Sequence, residues 1–146
     1  MLYYIEEGKK EGAKVGAGGS RWGEKGYFVK PTVFVDVKDS MKIAREEIFG
    51  PVMCILKWSD DEDVISRANA LPYGLGAGVV TKNIDKAVKF AKRLQAGTVY
   101  VNCYDYTEGS TPFGGYKDSG IGKDLGAEGL ESYLLTKTLI IKASDC

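Results

Sequence analysis

Apolar residues in the first third of the chain come in short runs, separated by glycine-rich and charged segments. From Leu2 to Lys10 the apolar side chains recur at helical spacing, which predicts a short helix. The glycine-rich stretch from Gly12 to Gly26 is typical of turns and hairpins. Branched and aromatic residues then predict two strands, and Gly50-Pro51 must end the helix that follows them. These three elements are expected at residues 27–29, 32–37 and 43–49.

The middle of the chain alternates apolar runs with amphipathic segments. The run Val52–Trp58 is nearly all apolar, as in a strand covered on both faces. Ser59 to Glu62 has the spacing of a capping box and predicts the start of a helix. A second buried strand is expected at Ala77–Thr81. The next helix should begin at Asn83 or Asp85 and end at a C-terminal cap at Gly97. A third strand is expected at Thr98–Asn102. This alternation predicts parallel β-α-β units with right-handed crossovers.

The segment after the third strand is where we expect function. Ligands of parallel sheets bind beyond the carboxyl ends of the strands, and the loop Asn102–Ser119 is long and lacks a strong period. Residues 124–133 then predict a helix, and Leu134–Lys142 predicts a strand rich in Leu and Ile. Since such a strand would aggregate if its edge stayed unpaired, we expect it to pair with a partner.

Composition excludes several classes of protein. The chain has 146 residues, and its 20 basic residues balance 20 acidic ones, which argues against a nucleic-acid partner. With 44% hydrophobic and 27% charged residues it has an ordinary globular composition, enough for one domain's core. No apolar run approaches the roughly 18 residues of a membrane span, so we expect no membrane partner. The N-terminal residues have no pattern of a secretory signal.

The absence of histidine excludes Ser-His and Cys-His catalytic pairs and HExxH zinc sites. The three cysteines are far apart and have no metal-ligand spacing, so we expect free thiols in a reducing compartment and no metal site. Cys54 lies within a predicted strand and is expected in the core. For Cys103 a small buried thiol is favoured over a nucleophile, and Cys146 is terminal, where we expect disorder.

Other candidate sites have competing explanations. Glycine-rich stretches at 74–78 and 120–126 have the wrong context or spacing for phosphate-binding loops. Glu46 and Glu47 alone would suggest a solvated helix face. The Gly50-Pro51 turn beside them instead favours a rigidly held carboxylate that accepts hydrogen bonds from two sugar hydroxyls. Pro112-Phe113 is either a plain surface turn or an aromatic wall of an apolar pocket.

Four motifs follow one another along the chain, at Glu46–Pro51, Tyr73–Leu75, Gly97–Asn102 and Pro112–Gly120. In this order they resemble the C-terminal part of NAD(P)-dependent aldehyde dehydrogenases. The similarity runs from about Tyr4 to Lys142 and is greatest to the tetrameric retinal, cytosolic and mitochondrial branch. It implies an α/β fold, with parallel β-α-β units forming part of the catalytic domain. The implied divisions are 1–120 in the catalytic domain, a connecting helix at 121–133, and an oligomerisation strand and tail at 134–146.

The resemblance also implies roles for individual residues. Glu47 corresponds to the glutamate that binds the nicotinamide-ribose hydroxyls, and Phe49 to the aromatic residue packed near that ribose. The positions that line the substrate tunnel in this family correspond to Asp105, Thr107 and Phe113. Many relatives carry an aromatic residue at the Thr107 position, which implies a wider or more polar tunnel here. At the subunit interface, Leu135 replaces an acidic residue found in many relatives.

The family's nucleophilic cysteine, general-base glutamate, oxyanion asparagine and dinucleotide-binding domain lie upstream of the matched segment. Cys103 corresponds to a structural position, so no catalytic residue is expected in this chain. The implied reaction is thiolate attack on an aldehyde, hydride transfer to nicotinamide, and hydrolysis of the thioester.

We therefore expect a fragment of a homo-oligomeric enzyme, inactive alone and with negligible affinity for NAD or NADP. A cytoplasmic location is expected, with the mitochondrial matrix an alternative for the parent enzyme. A structural module that pairs with itself or with full-length subunits is the alternative function. A stand-alone nucleotide-binding module is the third interpretation.

Overall fold

The computed structural model describes residues 1–142 and divides into two compact units. The first unit is Met1–Arg67, and the second begins at Ala68. Each unit is described by itself. The expectations for Cys146 and for the end of the tail, residues 143–146, lie outside the described residues.

The first unit is a three-stranded sheet with helices. Its elements are α1 (Leu2–Lys10), β1 (Lys14–Ala17), β2 (Thr32–Val35), α2 (Lys42–Arg45), β3 (Val52–Cys54) and α3 (Asp61–Asn69), which runs across the boundary between the units. The strand order is β1-β2-β3, with β1 antiparallel and β3 parallel to the central β2. The predicted strand at 27–29 is absent, and only Val29 forms an isolated bridge, with Arg21.

The core of the first unit forms where α1 approaches the sheet. Ile5 and Phe34 are fully buried, and Ile43 is almost so. Gly8 permits this close approach, because a Cβ at this position would lie 2.9 Å from Ile43 Cδ1 and 3.1 Å from Phe34 Cζ. Helix α1 begins and ends at the predicted residues. Its apolar side chains recur at helical spacing, and the face that they form contacts the core.

β3 differs from its prediction. Val52, Cys54 and Leu56 pack against the core, whereas Met53 is 54% and Ile55 42% exposed. The expectation of a strand covered on both faces is therefore wrong for this chain. An apolar run lacks the alternation that would tell which face is covered, and here only alternate residues pack against the core.

The capping of α3 is displaced by one residue. Asp60 Oδ1 accepts hydrogen bonds from the backbone N–H groups of Glu62 and Asp63, each at 3.0 Å. Ser59 donates its hydroxyl to Asp60 instead of capping the helix. These backbone donors, chiefly that of Asp63, lower the pKa of Asp60, because they stabilise its charged form. Helix α3 therefore starts at Asp61, as its carboxylate cap dictates.

The second unit contains the clearest β-α-β arrangement. Its elements are β4 (Tyr73–Gly74), β5 (Gly76–Val79), α4 (Ile84–Arg93), β6 (Thr98–Val101), β7 (Tyr116–Lys117) and α5 (Gly126–Glu131). β5 and β6 are parallel neighbours, and α4 connects them. Asn83 caps α4 by accepting from the Lys86 N–H at 3.0 Å, whereas the helix ends at Leu94. Gly97 is therefore not its C-terminal cap.

The predicted continuous alternation of strands and helices is wrong in one respect. β3 pairs with β2, and β5 pairs with β6, so β3 and β5 belong to different sheets. The chain between them forms β4, which pairs antiparallel with β7. Lys117 on β7 donates to the carbonyls of Asn69 and Leu71, at 2.7 and 2.8 Å, and so satisfies acceptors at the end of α3. These pairings involve partners more than forty residues apart.

The C-terminal segment is exposed. α5 is shorter than predicted, and residues 134–142 contain no strand. The predicted strand is thus not formed in the described part of the chain, where residues 134–142 pair with no other strand. Among residues 1–142, no helix combines the length and apolar character needed to cross a bilayer.

Candidate functional site

The two adjacent glutamates after α2 have different environments. Glu46 accepts a hydrogen bond from the Tyr4 hydroxyl at 3.1 Å, and the Lys42 ammonium lies 3.7 Å from the same oxygen. This contact with Glu46 raises the pKa of Tyr4, because it stabilises the protonated phenol. Glu47 is exposed, and its carboxylate has no hydrogen bond or ion pair among residues 1–142. Only the second glutamate is therefore available to a ligand.

The backbone on either side of Glu47 is anchored. Ile48 packs against the core of the first unit, while Phe49 is 82% exposed. The Gly50-Pro51 turn is closed by the Val52 N–H, which donates to the Gly50 carbonyl at 2.7 Å. An acceptor carboxylate and an aromatic ring thus flank a partly buried residue that packs against the core. An ionised carboxylate can only accept hydrogen bonds, and a vicinal diol, such as that of a ribose, offers it two hydroxyl donors. Such a diol therefore fits the Glu47 carboxylate.

In the second unit, the loop after β6 begins with a side-chain clamp. Asn102 has φ 54°, in the left-handed region that asparagine tolerates. Its side-chain amide donates to the Thr81 carbonyl at 2.9 Å, and its Oδ1 accepts from the Thr81 N–H at 2.8 Å. These two hydrogen bonds join the carboxyl ends of β5 and β6. Ligands of parallel sheets bind at this edge of the sheet.

Two of the predicted tunnel residues lie on this loop. Asp105 and Thr107 are exposed, and they alternate with Tyr104 and Tyr106, which are 87% and 69% exposed. Asp105 has φ 54°, and the Tyr106 hydroxyl donates to Glu108 Oε2 at 3.3 Å. The loop therefore presents acidic and aromatic groups side by side to solvent.

Phe113, the third predicted tunnel residue, lies at the other end of the loop. Its N–H and carbonyl exchange hydrogen bonds of 2.7 Å with those of Asp124. The residue is half-buried and lines a cavity of about 350 Å³, together with Leu75, Lys123 and Ser132. Within the described chain, the lining does not include Asp105 or Thr107. Glu47 and Phe49 belong to the first unit, and the three tunnel candidates to the second.

One expectation about the cysteines, the burial of Cys103, is wrong. Cys103 is exposed, not buried, because the chain leaves the sheet at Asn102 and Cys103 lies on the surface loop. Cys54 is partly buried against the core, and its thiol donates to the Ile43 carbonyl at 3.4 Å. Burial raises the pKa of the Cys54 thiol. Residues 1–142 contain no group of three or more His, Cys, Asp or Glu side chains arranged to hold a metal ion.

Sequence reasoning assigned no role to Asn102, Lys117 or Lys123. The signal for Asn102 is an asparagine directly after an apolar strand, where it can turn the chain and bond to neighbouring backbone. Lys123 donates to the Gly114 carbonyl at 3.0 Å and lies over the ring of Tyr116. Neither lysine has a signal in the sequence, because their acceptors are known only once the chain is folded.

Comparison with known proteins identifies the family of this chain. Residues 1–139 match the aldehyde dehydrogenase family. Rabbit and human aldehyde dehydrogenase 1A1 are each 56% identical over 145 residues, which is 99% of this chain and 29% of those proteins. The chain thus spans about 29% of the length of the curated relatives that it matches.

Solved structures agree in fold. An NAD⁺ complex of aldehyde dehydrogenase from Bacillus cereus is 57% identical, with a TM-score of 0.88 over 90% of this chain and 27% of that one. Apo betaine aldehyde dehydrogenase from Staphylococcus aureus is 41% identical, with a TM-score of 0.90 over 93% of this chain and 28% of that one. The mixed α/β structure with parallel strand pairs matches the fold of these enzymes. The chain belongs to the aldehyde dehydrogenase family.

Proposed function

We propose that this chain is the C-terminal part of an NAD(P)-dependent enzyme that oxidises aldehydes to carboxylic acids. The observation that carries the proposal is the free carboxylate of Glu47 beside the exposed ring of Phe49, on a segment anchored by Ile48. The motifs after Glu46 occur in the order found in this family, and the match extends over residues 1–139. The solved relative from Bacillus cereus is an NAD⁺ complex, which supports NAD as the cofactor.

In this proposal Glu47 and Phe49 hold the nicotinamide ribose. Glu47 accepts hydrogen bonds from the two ribose hydroxyls, and Phe49 covers the adjacent apolar surface. When bound, the nicotinamide accepts a hydride from the substrate. Glu46 takes no part, because its carboxylate is engaged by Tyr4 and Lys42.

The substrate is bound by the second unit. Asp105, Thr107 and Phe113 form part of the tunnel through which the aldehyde reaches the reacting cysteine, which this chain does not supply. Thr107 makes this part of the tunnel wall polar. The chain thus orients cofactor and substrate, and alone it has no turnover and negligible affinity for the dinucleotide.

The tail pairs with a neighbouring subunit of a homo-oligomer. Leu135, Leu139, Ile140 and Ile141 are 98%, 77%, 87% and 78% exposed. Exposed apolar residues gain both burial and backbone hydrogen bonds by joining a sheet. The proposal includes a cytoplasmic location, which is supported by a rat relative named cytosolic aldehyde dehydrogenase 1.

The first experiment is to determine the genomic reading frame before Met1. We expect a continuous frame that encodes a cysteine nucleophile, and a stop codon directly upstream would contradict the proposal. In the enzyme expressed from that frame, Glu47→Gln should raise the KM for NAD⁺ about tenfold, since a hydrogen bond to a charged group contributes about 1.5–3 kcal/mol. Glu46→Gln, the matched control, should leave this KM unchanged.

The 146-residue chain itself provides a second test. With NAD⁺ and acetaldehyde or retinal, we expect no absorbance of NADH at 340 nm, and calorimetry should detect no binding of NAD⁺. Turnover by the purified chain would refute the assignment of the nucleophile to another segment. A micromolar dissociation constant for NAD⁺ would instead favour a stand-alone nucleotide-binding module.

A structural module that self-associates or pairs with full-length subunits is the second candidate. The exposed apolar residues of the tail are the observation that favours it. Light scattering distinguishes this candidate, because it requires the 146-residue chain to form oligomers through residues 134–142. A chain that stays monomeric at high concentration would count against it.

A further inference from the structure

The segment that carries Glu47 contacts the N-terminal end of helix α1 at both of its ends. At its start, the Tyr4 hydroxyl donates to Glu46 Oε2 at 3.1 Å. At its end, a Cβ added to Gly50 would overlap the side chain of Met1, the N-cap residue of α1. Helix α1 therefore supports residues 46–50 at their first and last positions.

The two neighbouring tyrosines of α1 have different partners. The ring of Tyr4 packs against the core of the first unit, and the next residue, Ile5, is fully buried. Tyr3 is mostly exposed, and its hydroxyl accepts a hydrogen bond from the Lys42 ammonium at 3.0 Å. The hydroxyl that reaches Glu46 thus belongs to the tyrosine that is anchored in the core.

Side chains alternate in direction along the supported segment. Glu46 has an extended backbone, with φ −108° and ψ 146°. In extended backbone, successive side chains point to opposite sides. Glu46 and Ile48 accordingly contact the first unit, whereas Glu47 and Phe49 are exposed. The contacts of the first pair therefore determine the side on which the second pair lies.

From this arrangement we infer that Tyr4 is a positioning residue for the carboxylate of Glu47. Its hydroxyl holds Glu46 toward α1, and the alternation then keeps the next carboxylate on the same side as the ring of Phe49. This inference rests on the proposed function, in which Glu47 and Phe49 hold the nicotinamide ribose. Tyr4 acts through Glu46 and makes no contact with the ribose itself.

The first test is the mobility of the segment in the 146-residue chain. Tyr4→Phe keeps the ring and removes only the hydroxyl, so the ¹⁵N order parameters of Glu47 and Phe49 should fall from about 0.85 toward about 0.6. Tyr3→Phe is the matched control, because it removes a hydroxyl of the same helix and leaves the contact with Glu46. Unchanged order parameters in Tyr4→Phe, or an equal decrease in both variants, would overturn the inference.

The enzyme expressed from the upstream reading frame provides a kinetic test. Tyr4→Phe should raise the KM for NAD⁺ about threefold and leave kcat within about twofold, because the apparent affinity falls with the fraction of time that the site is formed. Tyr3→Phe should leave both constants unchanged. A purely structural role of Tyr4 would instead lower the fraction of active enzyme, and so kcat, at an unchanged KM.

A double-mutant cycle tests the route through Glu46. Glu46→Ala removes the acceptor and should raise the KM for NAD⁺ as much as Tyr4→Phe does. The double variant should raise it no further, because both changes remove the same contact. Glu46→Gln keeps an acceptor oxygen for the phenol and should retain the original KM. Additive increases in the double variant would overturn the inference.

These outcomes distinguish the inference from the proposed function. If Glu47→Gln raises the KM for NAD⁺ and Tyr4→Phe does not, the ribose site is supported and the positioning role is overturned. If Glu47→Gln leaves this KM unchanged, the ribose role of Glu47 is contradicted. A decrease of the order parameters in Tyr4→Phe would then still support the positioning of Glu47 by Tyr4.

Discussion

Asn102 and Thr81 exchange two hydrogen bonds, in which the asparagine side chain pairs with the backbone of the threonine at 2.8 and 2.9 Å. Because Asn102 follows β6 and Thr81 lies after β5, one side chain joins the carboxyl ends of two parallel strands. The loop with Asp105 and Thr107 begins at this clamp. The position of these candidate residues therefore depends on an asparagine whose side chain pairs with the backbone of Thr81.

Replacing Asn102 should destabilise the second unit. Asn102→Ala removes both hydrogen bonds and places alanine at φ 54°, so we expect a loss of about 2 kcal/mol in the free energy of unfolding. Asn102→Gly removes the same hydrogen bonds but tolerates the backbone conformation, and should cost about half as much. Urea denaturation measures both variants. If the alanine and glycine variants were equally stable, the positive φ would carry no cost.

A second prediction concerns the close approach at Gly97. A Cβ on Gly97 would overlap the Gly114 carbonyl, and the Gly97 N–H donates to Gly74 at 3.0 Å, so the backbone has little room to shift. Gly97→Ala should lower the unfolding free energy by about 1–3 kcal/mol. Gly109→Ala is the matched control, because no atom lies within 4 Å of its added Cβ. A similar loss in both variants would exclude steric overlap as the cause.

Local periodicity predicts part of this fold, but it does not predict the antiparallel pairing of β4 with β7. The limits of α1 follow from its apolar spacing, and the parallel β5–β6 pair follows from the strand–helix–strand order of its segment. The exposure of Met53 could not be predicted, since a fully apolar run does not tell which face will be covered. Lys117 likewise has partners 46 and 48 residues away, which only the folded chain brings to it.

The candidate site, like the fold, is predicted only in part from the sequence. The family resemblance selects Glu47 over Glu46, and the structure adds the physical difference that Glu46 contacts Tyr4 whereas Glu47 has no hydrogen bond or ion pair among residues 1–142. For the tail, the sequence predicts an element that the single chain does not form. Its apolar pattern predicts a strand, yet residues 134–142 form none in a single chain, because the hydrogen bonds that define a strand need a second backbone.

The two glutamates should differ in a titration. Glu46 raises the pKa of Tyr4 mainly through the hydrogen bond from its phenol, so Glu46→Gln should shift this pKa back toward 10.0. Glu47→Gln should leave it unchanged, since Glu47 has no contact with Tyr4. NMR of ¹³Cζ-labelled tyrosine resolves this residue from the others. A shift of the Tyr4 pKa in the Glu47 variant would contradict the division of roles.

Asp36 should make the stability of the first unit depend on acid. The ammonium groups of Lys14 and Lys57, at 2.9 and 3.0 Å, lower the pKa of Asp36 from 3.8 to about 2. Because the folded pKa lies below the unfolded one, the stabilisation is fully present above about pH 4 and is lost as the pH falls toward 2.

Urea midpoints measured from pH 7 to pH 2 check this dependence. Asp36→Asn should lower the midpoint at pH 7 and flatten its decrease in acid, and 1 M salt should reduce the difference from the wild type. Asparagine is chosen because it tolerates φ 55° at this position. Asp118→Asn, whose carboxylate has no ion pair within residues 1–142, is the control and should retain the acid dependence.

The two described cysteines should react with thiol reagents at different rates. Cys103 is exposed on the loop, whereas Cys54 is partly buried, donates to Ile43, and has its pKa raised by burial. In a Cys146→Ser background, Ellman's reagent should modify Cys103 at least about tenfold faster than Cys54, because Cys103 is exposed and burial limits both the access to Cys54 and its thiolate fraction. Single-cysteine variants give the two rates separately, and in urea the rates should converge. Faster modification of Cys54 in the folded chain would show that Cys103 is protected, as the sequence had suggested.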